Sequence, residues 1–168
     1  SSAASDVYKR QVLAGAELDE PGKEKMADIN REEAELSQKF SENLLDCTNE
    51  FALYLPEDTD ELKGVPEAEL HLFAQQAAAE GAKGYKITLH MPNYLPIMQY
   101  AENRDLREKM YHAYVTRASD FSPAGKDNLP IINRLLELRV EDAHLLGYKN
   151  FAEVSLVRKM AESPEQVV

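Results

Sequence analysis

Residues 23–51 read KEKMADINREEAELSQKFSENLLDCTNEF, and the spacing of the apolar letters decides the fold class. Met26, Ile29, Leu36, Phe40, Leu44, Cys47 and Phe51 recur at intervals of three, four and seven, with Glu, Lys and Asp between them. That spacing lines up one face of an α-helix, so a long amphipathic helix is expected here. The period then changes to two. Phe51, Leu53 and Leu55 alternate with Ala52 and Tyr54 up to Pro56, and a second alternating run, residues 85–90, lies between Gly84 and Pro92. Two short strands pairing antiparallel are expected from these runs.

Working outward, the rest is helical. Pro66 opens a helix through Leu70, Phe73, Ala74 and Ala77, and Gly81 closes it. A short helical turn is expected over residues 94–101, and Asn103 caps a helix that carries Leu106, Met110, Ala113 and Tyr114 on one face. Residues 122–125, Ser-Pro-Ala-Gly, form a loop. A helix over residues 128–146 buries Ile131, Leu135, Leu138 and Leu145 and ends at Gly147. Asn150 caps the next, with Glu153 three positions on. Ser163-Pro164-Glu165-Gln166 again has the form of a helix start, two residues before Val168. Residues 1–11 carry no periodic pattern, read as a tag-like, non-native segment, and are set apart from residues 12–168. The expected class is mainly α: a multi-helix domain with a small two-stranded β element, truncated at both ends.

The composition narrows the function. With 30 acidic residues against 19 basic, the net charge is -11 and repels phosphate backbones and anionic membrane surfaces. No window approaches the roughly 20 apolar residues of a membrane span. Cys47 is the single cysteine, which excludes an internal disulfide and any zinc site built on several thiolates. Neither nucleic acid nor a membrane is expected as a partner, and the cytoplasm is the expected compartment.

The histidines are His71, His90, His112 and His144, and none belongs to an H-E-x-x-H stretch, the helical spacing that places two imidazoles on one zinc. No G-x-S-x-G elbow or glycine-rich phosphate loop is present either. Glu141 and His144 stand at i and i+3, half of a di-iron motif whose second half is missing. Glu108 and His112 read as a surface ion pair. Cys47 lies on the apolar helix face and reads as a small core residue. The tyrosines at 85, 94, 100, 111, 114 and 148 suit part-buried helix edges, or the wall of a peptide-binding cleft. No residue is assigned a catalytic, cofactor-binding or metal-binding role.

Two stretches carry a resemblance. One is Phe40-Ser41-Glu42-Asn43-Leu44-Leu45-Asp46 running into Thr48-Asn49; the other is Tyr94-Leu95-Pro96-Ile97-Met98 followed by residues 107–118, REKMYHAYVTRA. With Leu145-Leu146-Gly147-Tyr148 and residues 159–164, KMAESP, they resemble the oligopeptidase A branch of the thimet oligopeptidase family of zinc metallopeptidases. The resemblance implies a mostly helical, cytosolic enzyme that hydrolyses short peptides in a channel between two lobes. It also implies that the zinc ligands lie downstream of this amino-terminal-half stretch, which would be an incomplete channel-wall lobe, inactive alone. A stand-alone helical interaction module without enzymatic activity is the alternative.

Overall fold

In the computed structural model, residues 3–123 and 125–157 are described. The chain divides into two compact units, Ser41–Asn128 and a second made of Ser1–Phe40 with Leu129–Val168. Among the described residues there are seven helices and one two-stranded sheet, the mainly α class with a small β element expected from the sequence.

Helix α1 covers Ala3–Leu13 and α2 covers Glu20–Glu50. Residues 3–11 of the tag-like stretch, which shows no periodic pattern, are therefore helical. Asp6 in its first turn and Arg10 in its last complement the helix dipole, and only Leu13 is buried. The long helix begins three residues before the expected Lys23, because the Asp19 carboxylate accepts a hydrogen bond from the Gly22 N–H at 2.8 Å and supplies a start.

In the unit 41–128, β1 (Leu53–Leu55) pairs antiparallel with β2 (Tyr85–Ile87), Tyr54 standing opposite Lys86. Gly84 admits the chain to this pairing. Its φ is +84°, and a Cβ there would stand 2.2 Å from the Leu55 carbonyl oxygen, so no other residue fits without moving backbone. Helix α3 (Glu67–Ala79) connects the strands, and α4 (Met91–Tyr100) and α5 (Arg104–Val115) follow. Phe73 of α3, Ile87 of β2, Ile97 of α4 and Met110 of α5 are all fully buried in one cluster, so the sheet and each of these helices contributes to the same core. Helix α4 starts at Met91, earlier than expected. Pro92 acts as a first-turn residue whose missing N–H is not needed there, rather than as a stop. The Asn103 cap is as expected, with Oδ1 accepting from the Leu106 N–H at 2.9 Å.

After α5 the chain turns at Ala118, a buried non-glycine residue with φ +50°. Its carbonyl accepts from the Asn128 N–H at 2.8 Å. This loop is tied to the end of α2 by polar side chains. Asn43 Nδ2 donates to Asn128 Oδ1 at 2.9 Å, Arg117 Nη1 donates to Thr48 Oγ1 at 2.9 Å, and Lys126 pairs with Asp46.

In the other unit, α6 covers Leu129–Leu145 and α7 covers Phe151–Val157. Helix α6 ends as expected at Gly147, whose φ is +82°, with the Tyr148 N–H returning to the Ala143 carbonyl. Asn150 accepts from the Glu153 N–H at 3.1 Å and Glu153 accepts from the Lys149 N–H at 2.8 Å, a reciprocal cap on α7. Met26, Ile29 and Leu138 are buried, and Leu13, Ala143 and Val154 form a small cluster. Arg134 grips Glu32 with two bonds, Nε to Oε1 at 2.6 Å and Nη2 to Oε2 at 2.9 Å. The expected helix start at Ser163 lies outside the described residues.

Candidate functional site

In the unit 41–128 a groove runs along α3 and α4. Two adjoining hollows, about 480 Å³ and about 520 Å³, share Leu72 and Pro92 as walls. The first is polar, edged by Gln76, Lys86, Thr88 and His90; the second is edged by Glu69, Met91, Leu95 and Tyr100. Met91, Leu95 and Tyr100 leave nearly half of their surface to solvent.

A pair of bonded amides lines the first hollow. Gln76 Nε2 donates to Asn93 Oδ1 at 2.6 Å, and Asn93 Nδ2 donates back to Gln76 Oε1 at 3.1 Å. Gln76 Nε2 also meets the Lys86 carbonyl at 2.8 Å, and Asn93 Oδ1 accepts from the Thr88 N–H at 3.0 Å. Asn93 is 2% exposed, so these bonds satisfy polar atoms that water cannot reach. Together they fix α3, β2 and α4 in one arrangement.

On the sheet's outer side, Tyr54 Oη donates to Glu80 Oε2 at 2.7 Å and Lys86 pairs with the other carboxylate oxygen. The Lys86 ammonium, and then the Tyr54 hydroxyl, hold the Glu80 carboxyl below its ordinary value. The same carboxylate holds Lys86 and Tyr54 above theirs. A second aromatic group lies at α4 and α5. Tyr94 and Tyr114 stack at 4.3 Å, and the Arg117 guanidinium sits 3.8 Å from the centre of the Tyr114 ring. Burial pushes the Tyr94 hydroxyl up, with Tyr114 and Tyr111 adding to the shift.

Residues 97–168 match the profile of Peptidase family M3. Over 158 residues the chain is 46% identical to Oligopeptidase A of Haemophilus influenzae, covering 93% of this chain and 23% of that protein. It is 46% identical over 160 residues to Organellar oligopeptidase A, chloroplastic/mitochondrial, of Arabidopsis thaliana, covering 91% and 20% respectively. Oligopeptidase A of Escherichia coli is 44% identical over 158 residues, again with 93% of this chain and 23% of that protein covered. The chain resembles part of an M3 oligopeptidase A. It spans about a fifth to a quarter of the length of these relatives.

A zinc site of an M3 peptidase needs converging His, Asp or Glu ligands. Among the described residues no group of three His, Cys, Asp or Glu gathers to hold an ion. Glu141 is engaged by Arg134 at 3.5 Å, while His144 Nε2 meets the Lys149 carbonyl at 3.3 Å, so the half-motif is divided between separate partners. His112 sets its ring edge against Phe121 at 5.9 Å between centres. Cys47 is half-buried, with Sγ 3.7 Å from Ser122 Oγ. Of the tyrosines, Tyr85, Tyr94, Tyr114 and Tyr148 are part-buried edges of packed clusters, while Tyr100 and Tyr111 are exposed. The groove could not be found by reading spacing. Gln76 and Asn93 look like ordinary helix-surface residues until α3 and α4 bring them together.

Proposed function

We propose that this chain is a stretch of a zinc metalloendopeptidase that hydrolyses short peptides, and that it forms part of the helical lobe walling the channel to the catalytic centre. The observation that supports this reading is the identity of 44–46% with oligopeptidases A along more than nine-tenths of the chain. In this reading zinc and the catalytic residues belong to other parts of the parent, and the residues here supply shape. The α3–α4 groove and the Tyr94–Tyr114–Arg117 stack are the surface features such a wall would present. A cytosolic parent fits the acidic composition and single cysteine, and one relative at 45% identity is named a probable cytosolic oligopeptidase A. No helix among the described residues is long and apolar enough to cross a membrane.

The test is to produce the longer polypeptide of this reading frame beside the 168-residue chain and assay both on short peptides, with and without a chelator. Chelator-sensitive hydrolysis by the longer protein alone is the expected result. Hydrolysis by the 168-residue chain, or none by the longer protein with zinc supplied, would overturn the proposal. The wall role has a separate check. Replacing this stretch of the parent by an unrelated helical segment should relax the limit on substrate size, and an unchanged limit would refute it.

A further inference from the structure

Helix α6 is apolar on two sides. Leu138, fully buried, and half-buried Ile131 and Leu135 occupy one side. On the other, Ile132, Leu136 and Val140 follow one another at intervals of four and are 40%, 52% and 47% exposed. At about 100° per residue these three fall within an arc of roughly 80°. Ala143 falls in the same arc and is fully buried, against Leu13 and Val154. The outer face of α6 is thus roofed at its carboxyl-terminal end by α7 and the last residue of α1, and bare over the two turns before that. A helix apolar on two sides belongs between two layers.

The size of the patch indicates what covers it. Three half-exposed aliphatic side chains amount to a few hundred Å² at most, well short of the ~800 Å² per partner that a stable complex of separate molecules buries. A tethered segment needs less, because its effective concentration is already on the order of millimolar. The relatives supply such length, since this chain matches only 20–23% of them. We infer that the Ile132–Leu136–Val140 stripe seats an amphipathic helix supplied in cis by another part of the longer parent, extending the layer that α7 begins; the inference rests on the reading under Proposed function. Glu137 and Arg139 flank the stripe on opposite sides, Arg139 lying over the Phe151 ring at 5.2 Å. The seated helix therefore has an aliphatic seam.

The experiment uses the intact parent. In a Leu136→Cys variant, the alkylation rate at residue 136 is read by mass spectrometry in native and urea-unfolded protein. Protection of about 100-fold or more is expected, and a native rate within about threefold of the unfolded one overturns the inference. Should that variant fold poorly, Leu136→Asp gives a second reading: a midpoint temperature lowered by ~5 °C or more is expected, and an unchanged midpoint overturns it. Protection that disappears on dilution to a monomer assigns the face to a second copy and also overturns it. Peptide hydrolysis measured on the same preparation separates the two claims. A hydrolysing parent with a reactive residue 136 sinks only this inference, and a protected residue 136 without hydrolysis sinks only the proposed function.

Discussion

Residues 41–128 bring the sheet and three helices into one fully buried cluster around Phe73, Ile87, Ile97 and Met110, whereas the unit built from residues 1–40 and 129–157 gathers a cluster of only Leu13, Ala143 and Val154. The first ties two of its helices to β2 through the paired amides of Gln76 and Asn93. The second has a part-buried ionic grip, Arg134 on Glu32, and leaves Ile132, Leu136 and Val140 half-exposed. Apolar content alone does not produce this difference, since α6 is as aliphatic as any helix in the chain. What differs is how many neighbours the local chain supplies. A hairpin-like sequence of strand, helix, strand and helix folds back on itself within 50 residues, while next to α6 in sequence the described chain supplies only the short α7, which covers one end of it.

That contrast can be attacked where it is strongest. Phe73→Ala should destabilise residues 41–128 by about 3–5 kcal/mol in urea unfolding, since a fully buried ring leaves a cavity that a rigid surround fills poorly. Val154→Ala, in the smaller cluster, should cost about 1–2 kcal/mol. Equal losses at the two sites would remove the distinction between the units. Asn93→Ala should cost about 2–3 kcal/mol, because the Thr88 N–H and the Gln76 amide lose a partner away from water. Nuclear magnetic resonance should then show faster exchange at the Thr88 amide, and unchanged exchange there would contradict the role given to the pair. Asn103→Ala removes a cap and should cost about 1 kcal/mol, visible as fraying of the first turn of α5.

The smallest effect is on acid sensitivity. The bonds from Arg134 hold the Glu32 carboxyl below its ordinary value of 4.5. A depressed carboxyl contributes stability that is present above that value and lost as pH falls through the lower, folded one. Glu33 acts oppositely: burial, then Asp142, pushes its carboxyl up, so acid favours the fold there. Glu32→Gln should therefore make the unit that holds α6 less sensitive to acid below pH 4.5, read by amide exchange, with no change in residues 41–128. A variant as acid-sensitive as the parent sequence would show that the grip contributes nothing.

Much of the architecture could be read from local chemistry. The switch from intervals of three and four to intervals of two marked both strands, and Asn103, Gly147 and Asn150 each stood where a helix end needs them. The start of α4 was misplaced because Pro92 looks like a breaker, yet in a first turn proline forgoes nothing, and α2 starts earlier than its apolar pattern because the Asp19 carboxylate accepts from the Gly22 N–H. The helical stretch α1 went unread because almost none of its residues is buried, so no periodic pattern was there to see. The buried polar residues were beyond reach. Asn43 meets Asn128 across 85 positions, and no spacing rule links residues so far apart. The groove shares that limit, as its floor is made by the meeting of two helices.

Ala118 carries a consequence for how this sequence can drift. Its left-handed backbone costs any residue with a Cβ about 1 kcal/mol or more, and its buried methyl leaves little room for a longer side chain. Among homologues, position 118 should therefore vary between alanine and glycine, with asparagine an occasional visitor, and stay closed to valine, isoleucine and threonine however freely the neighbouring loop changes.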